Sequence, residues 1–256
     1  MSKKENFKRK NNRPLDSLRE ISFIRNYTKY AEGSVLVAYG DTQVLCNVSL
    51  ENSIPSWLKG TKKGWLTAEY SMLPRATNTR NKREVSLGKA TGRTLEIQRL
   101  IGRSLRSIVN LNVLGEKTIT VDCDVIQADG GTRTAAITGG FLALNDACLK
   151  MNLNTDNQSF ITDKIAAVSL GVVSGQVFLD LDYSEDSTCD ADINIVMNSC
   201  GGIVEIQGTA EKKPFSQELL LNAVINARHA LDNIFSLQNK MIDNPHIKQI
   251  KSEASV

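Results

Sequence analysis

One uninterrupted stretch, residues 119–151, constrains the fold more than any other part of the chain. It begins with apolar residues that alternate with other residues, as in a strand with one buried face: Ile119, Val121, Cys123 and Val125. The sequence Asp-Gly-Gly-Thr-Arg follows at residues 129–133, and a segment rich in small residues, 134–151, predicts a helix. A strand that passes through a glycine turn into a helix commits the chain to a mixed α and β architecture.

Hairpins are predicted on both sides of this stretch. One is centred on Gly40-Asp41 and another on Ser174-Gly175, each between runs of alternating apolar residues. Two further strands are joined through residues 200–202, and a last helix begins after Ser216 as its N-cap. The order of hairpin, strand and helix thus occurs twice, and the sequence predicts an α+β fold built from a duplicated β-hairpin/strand/helix unit.

The ends of the chain differ in composition from the rest. Residues 1–16 are polar and basic, which predicts a disordered arm, either a solubilising tail or a nucleic-acid contact. Residues 241–256 are similarly polar and predict a flexible tail. Between them we expect two halves of one unit, residues 17–150 and 151–240.

The apolar runs, the cysteines and the histidines of the sequence bear on the cellular compartment and on the catalytic chemistry. No apolar run is long enough to span a bilayer, and the N-terminus lacks the apolar core of a signal peptide. The five cysteines show no C-x-x-C spacing, so we interpret them as reduced thiols in a cytoplasmic protein without membrane association. With only two histidines, a catalytic Ser-His or Cys-His pair is not expected.

Positive charge is concentrated in residues 75–106, where nine Lys or Arg stand against two Glu, although the formal net charge of the chain is only +3. Arg75, Arg80 and Arg83 lie among turn-forming residues, and such a loop is either solvated or directed at a phosphate backbone. The amphipathic helix predicted at 93–110 carries three more arginines on one face, for which no role is assigned: Arg99, Arg103 and Arg106.

The turn at residues 129–133 has the composition of an anion site. Backbone N–H groups at a helix N-terminus attract oxyanions, and Gly130 and Gly131 leave room for one to approach. Arg133 adds a fork-shaped donor for phosphate. An ordinary strand-to-helix connection also favours glycine, so the turn alone does not decide between the two interpretations.

A cluster of six carboxylates without any Lys or Arg occupies residues 180–192. Mg²⁺ binds a few oxygen ligands and keeps most of its waters, so two carboxylates beside a phosphate suffice. Asp186 and Asp192 flank the start of a predicted strand, where a loop can bring them together. The alternative is a solvated acidic loop.

Taken together, these segments closely resemble the ribonuclease PH family, from about Leu18 to residue 240. The resemblance is carried by six stretches: RNYTKYAEGSVLV at 25–37, GWLTAEY at 64–70, LPR at 73–75, GRTLEIQRLI at 92–101, DCDVIQADGGTRTA at 122–135 and EIQGTAE at 205–211. It implies a ribosomal protein S5 domain 2-like fold and rings that are homohexamers, built as trimers of dimers. Asp190 departs from the family pattern, since we expect Glu there.

The resemblance also implies an activity, a phosphorolytic 3′→5′ exoribonuclease that trims the 3′ ends of transfer RNA precursors. It implies that Mg²⁺ is the cofactor and inorganic phosphate the co-substrate. It assigns phosphate binding to Arg93, Gly131, Thr132 and Arg133, metal binding and catalysis to Asp186 and Asp192, and RNA binding to Arg75, Arg80 and Arg83. Two alternatives remain open: a catalytically inert ring subunit that binds RNA, and a metal-dependent hydrolytic nuclease.

Overall fold

The computed structural model describes Arg9, residues 12–154 and residues 158–252. Two β-sheets form its framework. The first contains β1 (Ile21–Arg25), β2 (Gly33–Tyr39), β3 (Thr42–Glu51), β4 (Trp65–Met72), β5 (Thr118–Gln127) and β10 (Gln249–Lys251), in the order β10-β1-β2-β3-β5-β4. The second contains β6 (Ile165–Val173), β7 (Gln176–Leu179), β8 (Ala191–Asn198) and β9 (Ile203–Ala210), in the order β7-β6-β8-β9. All neighbouring strands are antiparallel except β4 and β5.

Five α-helices lie in the described part of the chain. They are α1 (Gly92–Arg106), α2 (Leu111–Leu114), α3 (Thr132–Lys150), α4 (Tyr183–Asp186) and α5 (Gln217–Asp243). The α+β class predicted from the sequence is therefore confirmed. None of these helices is long and apolar enough to cross a bilayer.

Helix α3 lies at the centre of the molecule and contacts β2, β3 and β6, so it joins the two sheets. Most of its residues are buried, which explains why the segment is rich in small residues. A Cβ atom on Gly139 would lie 2.4 Å from Val37 Cγ1, so the close approach of helix and sheet requires glycine there. Because β5 leads directly into α3, this packing also fixes the position of the glycine turn between them.

The expectation of a disordered arm over residues 1–16 is wrong for the residues that the structure describes, namely Arg9 and 12–16. Arg9 is buried against Glu185, and Leu15 O accepts a hydrogen bond of 2.7 Å from Leu179 N. The composition of the segment predicted that its charges are solvated. It could not reveal that Arg9 pairs with a carboxylate 176 residues away in the sequence. Residues 1–8, 10 and 11 lie outside the described residues.

The expectation of a flexible tail over residues 241–256 is likewise wrong as far as residue 252. Helix α5 continues to Asp243 with Met241 fully buried, and β10 pairs with β1. An edge strand offers unpaired backbone groups, so a polar segment can join it without an apolar pattern. Residues 253–256 lie outside the described residues.

Candidate active site

A cleft of about 700 Å³ brings together residues from both halves of the chain. Its lining includes all six positions for which the family resemblance implies phosphate binding, metal binding or catalysis: Arg93, Gly131, Thr132, Arg133, Asp186 and Asp192. They come from the start of α1, the turn before α3, the end of α4 and the beginning of β8. The fold therefore gathers one cationic and one anionic set, distant in sequence, around a single volume.

The glycine turn has the geometry of an anion-binding helix N-terminus. Gly130 and Gly131 have φ values of +77° and +67°, which favour glycine. A Cβ on Gly130 would lie 2.4 Å from Leu181 O. No side chain caps α3, and the bond from Ala135 N to Gly131 O (3.0 Å) is the first to close its helical ladder. The N–H groups of residues 132–134 are therefore left for a ligand.

A buried ion pair between Arg19 and Asp180 holds the glycine turn in place. Arg19 binds both carboxylate oxygens of Asp180, with Nε 3.0 Å from Oδ2 and Nη2 2.7 Å from Oδ1. The same guanidinium donates to the carbonyl oxygens of Asp129 and Gly130. Thr42 Oγ1 donates to Gly130 O at 2.6 Å. Burial alone would raise the pKa of Asp180, but Arg19 and Arg13 hold it below its ordinary value.

Two arginines bring positive charge to the cleft in different ways. Arg93 is exposed at the start of α1, and its side chain makes no hydrogen bond to any described residue. Arg133 is held by two neighbours: its Nη1 lies 3.1 Å from Glu96 Oε1 and 2.9 Å from Gln207 Oε1. Arg93 is thus available to a ligand, whereas Arg133 has a fixed orientation.

Asp186 and Asp192 face this charge as a half-buried pair. Burial raises the pKa of Asp186, and Arg93 and Arg133 oppose that effect. Burial and then the negative charge of Asp186 raise the pKa of Asp192 to about 6. Asn194 Nδ2 donates to both oxygens of Asp192, at 3.2 and 3.1 Å, and so orients the carboxylate. The two carboxylates are close enough to repel each other, and neither forms an ion pair within the described ranges.

The pair fits a magnesium ion that a substrate helps to hold. Among the described residues, no group of three or more His, Cys, Asp or Glu side chains is placed to hold a metal. Mg²⁺ needs only one or two carboxylates when phosphate oxygens and waters complete its octahedron. Burial raises the pKa of both groups, and a cation bound between them would favour their ionised forms.

The short helix that carries Asp186 is fixed to the N-terminal segment. Glu185 accepts hydrogen bonds of 2.7 Å at each carboxylate oxygen from Arg9, through Nε and Nη2. Arg13 Nη2 adds a contact of 3.3 Å to the same group. Asp182 caps the helix and forms a capping box with Glu185. Sequence reasoning missed Arg9, Arg13 and Arg19 as site residues, because no local pattern marks a partner so far along the chain.

The predicted RNA-binding arginines lie outside the cleft. Arg75, Arg80 and Arg83 are exposed in the loop that leads from β4 to α1. Arg83 and Arg93 both line a second groove of about 750 Å³, which adjoins the cleft. Arg75 and Arg80 line neither cavity. The structure thus brings Arg83 near the phosphate positions and leaves the other two at the surface.

The three unassigned arginines of α1 have separate surroundings. Arg103 forms a two-bonded ion pair with Glu205 on β9, at 2.7 and 2.8 Å. Arg106 stacks over Trp65 at 4.5 Å and donates to Leu66 O. Arg99 is exposed. Two of the three therefore join α1 to its neighbours.

Comparison with protein families gives two matches that together cover most of the chain. Residues 17–150 match domain 1 of the 3′ exoribonuclease family (RNase PH), and residues 163–230 match domain 2.

Solved structures with the same fold include rice (Oryza sativa) Rrp46, with a TM-score of 0.74 and 21% identity over 91% of this chain and 99% of that one. An Archaeoglobus fulgidus exosome with RNA bound to the active site gives a TM-score of 0.76 and 22% identity, over 91% of this chain and 92% of that one. An archaeal exosome core gives 0.70 and 22%, over 90% and 89%.

These likenesses agree with the ribosomal protein S5 domain 2-like fold expected from the sequence. At such low identity the solved structures show the fold alone, whereas the two family matches also show which family the chain belongs to. The chain belongs to the RNase PH family of 3′ exoribonucleases.

Proposed function

We propose that the chain is a phosphorolytic 3′→5′ exoribonuclease of the bacterial ribonuclease PH type, which trims the 3′ ends of transfer RNA precursors. Inorganic phosphate is the second substrate and Mg²⁺ the cofactor. One observation carries the proposal: an uncapped glycine turn, two arginines and a half-buried carboxylate pair line the same cleft. A hydrolytic nuclease would need the carboxylates but not the anion site.

The reaction makes one bond and breaks one. An oxygen of inorganic phosphate attacks the phosphorus of the last phosphodiester, and the bond from that phosphorus to the 3′ oxygen of the preceding nucleotide breaks. The 3′ oxygen takes up a proton and becomes the new RNA end, while the terminal nucleotide leaves as a nucleoside 5′-diphosphate. The reverse reaction adds a nucleotide and releases phosphate.

The cationic residues position the attacking phosphate. The turn at Gly131, Thr132 and Arg133 binds its oxygens through the N–H groups at the start of α3, and the Arg93 guanidinium helps to offset the repulsion between two anions. Phosphate brings its own nucleophilic oxygen, so positioning and charge neutralisation replace a strong general base. A site whose lining contains no histidine is adequate for this chemistry.

Asp186 and Asp192 would hold Mg²⁺, which when bound offsets the negative charge that develops on the reacting phosphoryl group. Asn194 keeps Asp192 oriented, and the ion pair of Glu185 with Arg9 keeps the helix that carries Asp186 in place. Arg75, Arg80 and Arg83 would contact the RNA backbone upstream of the cleft through salt-dependent charge interactions.

The proposal includes assembly and location. A homohexameric ring, built as a trimer of dimers, is expected from the motifs shared with ribonuclease PH. The likeness to an exosome core, and to an exosome with RNA at its active site, supports RNA binding and assembly with further chains. Four of the five cysteines are buried and none is paired, which suits a cytoplasmic enzyme.

Product analysis separates this proposal from its alternatives. RNA labelled at its 3′-terminal nucleotide is incubated with Mg²⁺, with and without inorganic phosphate. We expect labelled nucleoside diphosphate only when phosphate is present. Nucleoside monophosphate without phosphate would instead indicate hydrolysis, and RNA binding without any product would indicate an inert subunit.

A further inference from the structure

A buried hydroxyl beside the glycine turn has no partner. Ser169 lies in the middle of β6 and is 3% exposed. Its backbone carbonyl accepts a hydrogen bond of 2.7 Å from Asp180 N, but its Oγ has no hydrogen-bond partner in the part of the chain that the structure describes. Most buried side-chain polar atoms are hydrogen-bonded, so this exception calls for a physical reason.

The Ser169 hydroxyl lies where a ligand in the cleft can reach it, which explains why it has no partner among the described residues. Ser169 lines the same cleft as the turn and the carboxylates. Its Oγ lies 3.3 Å from the point that a Cβ on Gly131 would occupy, and so it faces the first turn of α3. On the neighbouring strand its register partner is Asn194, which holds Asp192. Ser169 therefore adjoins the anion site on one side and the Asp192 strand on the other.

We propose that Ser169 Oγ donates a hydrogen bond to an oxygen of the inorganic phosphate bound at the turn. This inference rests on the proposed function. Phosphate has four oxygens in a tetrahedron, and the donors already described approach from the helix end and from α1. Ser169 supplies a donor from the second sheet, and it does so without adding charge to a site that already contains two arginines.

The competing explanation is that serine only fills space in a tightly packed strand. In that case Ser169→Ala removes an unpartnered buried hydroxyl and leaves phosphate affinity unchanged. Ser104 provides a matched control: it is 0% exposed, its hydroxyl also lacks a partner in the described residues, and it does not line the cleft. Ser104→Ala should change neither phosphate binding nor kinetics.

The test measures phosphate affinity directly. Inorganic phosphate is titrated into the full-length wild type, Ser169→Ala and Ser104→Ala by calorimetry, and the KM values for phosphate and for RNA are measured separately. We expect about tenfold weaker phosphate binding for Ser169→Ala and a similar rise in the KM for phosphate, because hydrogen bonds to charged groups are among the stronger ones. The KM for RNA should not change.

Ser169→Cys provides a second variant of nearly the same size with a weaker donor, and we expect its phosphate affinity to be intermediate. If the alanine variant does not fold, Ser169→Cys tests the proposal in its place. Wild-type phosphate affinity in either folded variant would overturn the role of Ser169 and leave the proposed function intact. Failure of the wild type to bind phosphate would overturn both proposals.

Discussion

The acidic segment contains two pairs of carboxylates that the structure uses differently. Asp180 and Glu185 are buried and bonded to arginines, and the pKa of Asp180 lies below its ordinary value. Asp186 and Asp192 line the cleft without an ion pair within the described ranges, and both pKa values are raised. The composition of the segment is uniform, so the difference comes from what each carboxylate faces.

This contrast distinguishes carboxylates that stabilise the structure from carboxylates that are free to bind a cation. A buried carboxylate with a bonded arginine is satisfied and fixes the backbone around it. A half-buried pair of carboxylates without such a partner carries repulsion that a bound cation would relieve. The first pair therefore positions the turn and α4, while the second faces the cleft. Four experiments test this division.

The largest effect should come from Asp180→Ala. It leaves the buried guanidinium of Arg19 without its carboxylate, and breaking a buried ion pair costs about 3–5 kcal/mol. The free energy of unfolding in urea measures the loss. Asp190→Ala is the matched control, since Asp190 lies in the same segment and pairs with the half-exposed Lys212. Equal stability of the two variants would contradict the supporting role of Asp180.

Asp186→Asn and Asp192→Asn should each lower the turnover number by about 100-fold or more, since charge stabilisation by a metal contributes several kcal/mol. Both variants should fold and bind RNA with unchanged affinity, because neither carboxylate is bonded to an arginine within the described residues. Single-turnover phosphorolysis and RNA binding at one salt concentration check this. Near-normal turnover would contradict the metal assignment.

The ion pair between Arg9 and Glu185 should be the strongest of the arm contacts. A double-mutant cycle with Arg9→Ala and Glu185→Gln should give a coupling energy of about 1–3 kcal/mol in unfolding experiments. The same cycle on Arg103 and Glu205, where the arginine side chain is 56% exposed, should give less than about 1 kcal/mol. Equal coupling in both cycles would show that the arm does not anchor α4.

The smallest effect concerns pH. The pKa of Asp192 is raised to about 6 in the folded protein, so its contribution to stability is present below the unfolded pKa and is lost as pH rises through 6. With metal removed by a chelator, Asp192→Asn should therefore melt roughly 2–4 °C higher than wild type at pH 8. The difference should vanish near pH 4, and a difference independent of pH would contradict the raised pKa.

The sequence predicted those parts of the site that depend on local patterns and missed those that depend on residues far apart in the chain. The glycine turn and the strands are local patterns, and the structure bears them out. Asp186 and Asp192 were chosen among six carboxylates by their position beside a predicted strand, and the resemblance supported that choice, whereas composition does not reveal which carboxylates face arginines. The pairs of Arg9 with Glu185 and Arg19 with Asp180 span 176 and 161 residues. Ser169 gives no signal because serine is unremarkable in a small-residue strand.

The fate of phosphate tests the central claim most directly. Unlabelled RNA is incubated with Mg²⁺ and radiolabelled inorganic phosphate, and the nucleotides released are separated and degraded to locate the label. If phosphate bound at the turn is the nucleophile, the label appears in the β-phosphate of a nucleoside diphosphate, once for each nucleotide removed. Release of unlabelled nucleoside monophosphate at the same rate with or without phosphate would contradict the claim.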